Sequence, residues 1–161
     1  MNTTTGEIVA HLVTDGHADD AAQVPDLLRQ PERATASLIA DGAYDGDPVY
    51  QAAAARQPGR LPDVVILLRA SAVLSTADPK KQSPRDRHIQ PIAEHGRMAW
   101  QHMTGYGKRN AAEATMARYK HLIGARFRAP SPLAQVGEIA VAAQVLNRMI
   151  REAKPVTVRR R

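Results

Sequence analysis

Two places in the sequence carry side chains whose type and spacing suit chemistry. The first surrounds Glu113. With Arg109 set at zero on a helix turning about 100° per residue, Lys120 falls at about 20° and Glu113 at about 40°. Tyr106 joins them at about 60° if the helix starts that early. Ala112, Thr115, Tyr119, Leu122 and Ile123 lie between about 220° and 320°, so the apolar stripe sits to one side. A carboxylate flanked by two cations and a phenol could hold a divalent cation while the cations hold phosphates, as phosphodiester chemistry requires. On spacing alone, a solvated face with an Arg109–Glu113 ion pair at i,i+4 is the simpler reading. The second place is Asp41, which follows a short apolar run and precedes Gly42. Open α/β sheets put functional groups at the carboxyl ends of their strands. A turn-forming Asp-Gly explains the same residues equally well.

The elements that must position these groups can be read from the pattern. Residues 7–14 read as a strand bounded by Gly6 and Asp15-Gly16. Asp19 or Asp20 can cap a helix over 21–30, with Val24, Leu27 and Leu28 as its apolar stripe and Pro31 at its end. Residues 35–40 form a second strand, buried by its composition, and lead straight into Asp41. Asp47-Pro48 open a helix to about Arg56, stopped at Pro58-Gly59. Residues 63–69 make a third buried strand. Strand, helix, strand, helix, strand indicates an α/β sheet. Three strands are few for such a sheet, so part of the fold is expected outside the chain.

After a polar loop at 71–84 the sequence becomes helical and basic. A helix over 85–95 is interrupted by Pro91, another spans 96–103, and an amphipathic one spans 110–123 and ends at Gly124. Ser131-Pro132 open a long last helix to about 153, with Leu133, Val136, Ile139, Ala140, Ala143, Leu146 and Ile150 as its stripe. Pro155 ends it, and the Arg-rich residues 156–161 are expected to form a disordered tail.

Charge divides along the same line. Residues 1–79 hold 5 Lys/Arg against 11 Asp/Glu, and residues 80–161 hold 17 against 5. A basic half of that size favours a polyanion, most often nucleic acid. The chain has no cysteine, which excludes disulfides and thiolate metal sites. It has no apolar run long enough to span a membrane and no signal peptide, so a cytoplasmic location and no membrane partner are expected. One Trp and one Phe are few for a protein that binds single strands by stacking.

Tyr106-x2-Arg109-x3-Glu113-x6-Lys120 matches the Y-(2)-R-(3)-E-(6)-K signature of a large branch of bacterial insertion-sequence DDE transposases. Ile39-Ala40-Asp41-Gly42-Ala43-Tyr44-Asp45 resembles the segment that carries the second catalytic acid in that branch, and Val145-Leu146-Asn147-Arg148-Met149 resembles its C-terminal end. The resemblance covers about residues 6 to 153 and corresponds to the C-terminal part of the catalytic domain. It implies an α/β, ribonuclease-H-like (retroviral-integrase-like) core over residues 1–155, truncated at its N-terminus, with a helical basic C-terminal half. It also implies three acids that bind two Mg²⁺ or Mn²⁺ ions for phosphodiester cleavage and strand transfer at transposon ends. Asp41 and Glu113 would be the second and third acids and metal ligands. Arg109 and Lys120 would contact double-stranded DNA, with Tyr106 shaping that contact.

The family's first acid precedes its second by more than the 40 residues found here before Asp41. Asp15, Asp19 and Asp20 sit in a turn and a helix cap, where they substitute poorly. The chain is therefore expected to need a missing N-terminal portion and to be inactive alone. The alternative is a catalytically dead DNA-binding or interaction protein that interferes with full-length transposase. An unpaired sheet edge would favour self-association into a homo-oligomer.

Two decoys are set aside. Gly105-Tyr106-Gly107 lacks the third glycine of a dinucleotide-binding motif and follows no strand. His88, His95 and His102 recur every seven residues, but Pro91 and Gly96 break their helix. They read as surface histidines rather than a zinc site. The 98–103 stretch with Trp100 reads as core.

Overall fold

A computed structural model of the chain describes residues 1–15, 17–56 and 62–153. They divide into two compact units, one of residues 17–109 and one of residues 1–15 with 110–153. The expected stop at Pro58-Gly59, the terminator Pro155 and the basic tail fall outside the described residues.

In the first unit a 3-10 turn at Ala21–Gln23 leads into helix α1 at Val24–Arg29. Of the two expected caps it is Asp19 that acts, accepting from the Ala21 N–H at 3.1 Å. Strand β1, Ser37–Ala40, pairs in parallel with β2, Asp63–Ile66, with Leu38 opposite Val64 and Ala40 opposite Ile66. Helix α2, Asp47–Arg56, links them. A parallel pair requires such a crossover, and its apolar face must be covered. Val24 and Leu28 of α1, Val49, Tyr50 and Ala53 of α2, and Val64 and Ile66 of β2 form that core. Each such aliphatic side chain contributes about 1.5–3 kcal/mol by leaving water. Arg56 ties the helices together by donating from Nε to the Leu28 carbonyl at 2.8 Å. β1 is only half-buried, whereas Val64, Val65 and Ile66 of β2 are buried.

The strand expected at residues 7–14 is not formed. That segment belongs to the second unit, where a side chain takes the place of a strand neighbour. Asn147 accepts from the Ile8 N–H and donates to the Ile8 carbonyl, both at 2.8 Å. Arg151 pairs with Glu7 at 3.0 Å. The described sheet therefore has two strands rather than three.

Helix α3 runs Asp86–Thr104 and breaks at Gly96, with φ 79° and ψ 165°, not at Pro91. Only glycine adopts that backbone readily. Gly105, at φ 67°, ends α3 as a left-handed cap, which is the role of a glycine that resembled a nucleotide motif. A 3-10 turn at Tyr106–Arg109 follows, and then α4, Asn110–Leu122, in the second unit. The last helix, α5, is Pro132–Ala153. The Ser131 hydroxyl caps it by accepting from the Ala134 N–H at 3.3 Å. Ala143 and Leu146 are buried as expected, but Leu133 and Val136 at the open N-terminal end are exposed.

Candidate DNA-processing site

Asp41 stands immediately after β1, at its carboxyl end. It takes the turn-forming role, and its second oxygen faces a cation. Its Oδ1 accepts from the Ala43 N–H at 3.0 Å and caps the 3-10 turn Gly42–Tyr44. Its Oδ2 lies 3.7 Å from Nη1 of Arg109. The glycine after it sits in a tight place, since a Cβ on Gly42 would meet the Leu67 carbonyl oxygen at 3.0 Å and that backbone would have to give by a few tenths of an ångström.

The cation reaches Asp41 because the 3-10 turn Tyr106–Arg109 packs against β1. Tyr106 is buried, and the Arg109 guanidinium lies over its ring, 5.9 Å from the centroid. Tyr106 in turn packs on Trp100, which is 1% exposed, with centroids 5.6 Å apart. The Trp100 indole N–H donates to Nδ1 of His88 at 3.1 Å. Indole N–H is only a donor, so Nδ1 is unprotonated, and the ring proton on Nε2 is donated to the Val64 carbonyl of β2 at 2.8 Å. His88 is thus not the surface histidine expected; it is held between β2 and an indole. Its spacing from Gly96 and Trp100 was the available sequence signal.

The four signature residues do not lie on one helix. Tyr106 and Arg109 occupy the 3-10 turn of the first unit. Glu113, in the first turn of α4, and Lys120, in its last, are exposed on the second unit. Glu113 and Lys120 are two turns apart and share a face of α4.

A second set of acids is structural. Arg85 donates to Asp45 from Nε at 2.7 Å and from Nη2 at 3.1 Å, and the Arg69 N–H adds a bond at 3.1 Å. Burial raises the Asp45 pKa, but the Arg85 and Arg69 bonds outweigh it and hold the carboxyl below its ordinary value. The shallow depression beside it, lined by Asp47, Leu74 and Ser83 among others, excludes Asp41.

Comparison with known families identifies the chain. Residues 1–148 match the model of the transposase DDE domain, and the chain belongs to that family. It therefore has a transposition-related function, in a family that generally uses divalent metal ions. No solved structure matches the chain. The donor set does not fit a complete metal site: among the described residues no group of three or more His, Asp or Glu could hold a metal ion. No described helix is long and apolar enough to cross a membrane.

Proposed function

We propose that residues 1–155 are part of a ribonuclease-H-like transposase catalytic domain, with a basic tail at 156–161, acting on double-stranded DNA at transposon ends. One observation carries this reading: an acid at the carboxyl end of a parallel strand, faced at 3.7 Å by the arginine of the 106–120 signature. Asp41 and Glu113 are the carboxylates this chain contributes to a Mg²⁺ or Mn²⁺ site, whose further ligands must come from elsewhere. Arg109 and Lys120 hold DNA phosphates, and Tyr106 backs Arg109. Binding of the chain to duplex DNA across a salt series tests the reading. Arg109→Ala and Lys120→Ala should each weaken binding; unchanged affinity in both would sink it.

A second reading is favoured by the incomplete donor set. The chain alone binds DNA without cutting it and competes with a complete transposase of its kind. Calorimetric titration with Mn²⁺ separates the two. Binding lost in Asp41→Ala supports a contribution to the metal site, and no binding supports the competitor.

A further inference from the structure

We propose that His88 is a positioning residue that sets Arg109 against Asp41, acting through Trp100 and Tyr106. The inference rests on the reading of Arg109 and Asp41 as site residues. The contacts form a closed path that starts and ends on the same sheet. His88 is anchored on the Val64 carbonyl of β2 and receives the Trp100 N–H. Trp100 supports Tyr106, Tyr106 carries Arg109, and Arg109 faces Asp41 at the end of β1, the strand paired with β2.

Two features separate this from ordinary core packing. First, His88 and Trp100 are 12 residues apart on α3, about 18 Å along a straight helix. Their ring centroids are 5.5 Å apart at 87°, a geometry that requires the break at Gly96. Second, an apolar side chain could fill the His88 volume but could not hold the indole by a directional bond. The imidazole accepts from Trp100 at one nitrogen and donates to the sheet at the other, which fixes the plane of the indole on which Tyr106 rests. Among natural side chains, glutamine also offers an acceptor and a donor there.

The test uses NMR of the Arg109 side chain in the full chain, because a guanidinium over the Tyr106 ring carries an upfield ring-current shift. His88→Phe should lose that shift and His88→Gln should keep most of it. His88→Phe should also weaken duplex-DNA binding roughly tenfold, as Arg109→Ala is expected to, and the double variant should bind no worse than Arg109→Ala alone. An unchanged Arg109 shift in His88→Phe, or affinity losses that multiply in the double variant, would overturn the proposal. If His88→Phe does not fold, Trp100→Phe carries the test, since it removes the orienting N–H and should lose the shift while His88→Gln retains it. Wild-type affinity in Arg109→Ala would sink the assignment of Arg109 to DNA, while the Arg109 shift still decides the positioning.

Discussion

Arg109 extends from its 3-10 turn to within 3.7 Å of the Asp41 carboxylate, with its side chain 27% exposed and that of Asp41 46% exposed. A pair so open to water adds at most about 1 kcal/mol. Its consequence is placement: it holds a cation at the mouth of the sheet. Asp41→Asn can still accept from Ala43, so its stability should change by less than about 1 kcal/mol. The same change removes a negative charge beside the proposed phosphate contact at Arg109 and should tighten duplex-DNA binding. Arg109→Ala should lower the salt slope of binding by about one. Fluorescence anisotropy at several salt concentrations measures both, and a slope equal to wild type would argue against a phosphate contact.

The donor count leads to a prediction about catalysis. On the proposed reading Asp41 and Glu113 supply two carboxylates, and among the described residues no group of three or more His, Asp or Glu could hold a metal ion. Two metal ions need more oxygen ligands than two acids provide. The purified chain should therefore show no Mn²⁺-dependent nicking of transposon-end DNA on a gel. Robust nicking that disappears in Asp41→Ala would falsify this.

How much of this was legible in the sequence depended on how local each cause is. β1, α2, α4 and α5 were legible because their apolar periods and caps are contained in their own segments. Residues 7–14 were misread because Asn147, 139 residues from Ile8, decides what that backbone bonds to. β-branched composition says nothing of whether a partner strand exists. At the site, Asp41 and Arg109 were both legible as chemistry-bearing residues. Their pairing was not, since it depends on a 3-10 turn at Tyr106–Arg109, just ahead of the helix expected over 110–123. Ser83-x-x-Asp86, a capping-box pattern, was in view but unread.

Gly96 offers a test of the helix break. A Cβ there would meet nothing within 4 Å, so only backbone strain opposes it. At φ 79° and ψ 165° an alanine should cost about 1–3 kcal/mol, or force α3 straight and separate His88 from Trp100. Trp100 is the only tryptophan, so its emission reports the outcome directly. Gly96→Ala should unfold at lower denaturant and, if it straightens, shift emission to the red as the indole meets water. Wild-type stability and emission together would show that the break does not depend on glycine.

Asp86 gives the pH prediction. Its carboxylate accepts from the Ser75 and Ser83 N–H groups, both at 2.9 Å, and from both serine hydroxyls. The Ser83 hydroxyl returns a bond by accepting from the Asp86 N–H at 3.3 Å, which closes a capping box over α3. Burial raises the Asp86 pKa, but the Ser75 and Ser83 hydrogen bonds prevail and bring it from 3.8 to about 2. A carboxyl lowered in the folded state favours folding above its unfolded value, and that contribution fades as pH falls through the folded value. Melting temperature should therefore decline as pH drops from about 4 toward 2. Asp86→Asn presents an amide N–H₂ to the same donors and should cost about 2 kcal/mol at neutral pH. It should also flatten the acid decline. A variant that melts like wild type at pH 7, or declines as steeply in acid, would remove Asp86 as the source of that dependence.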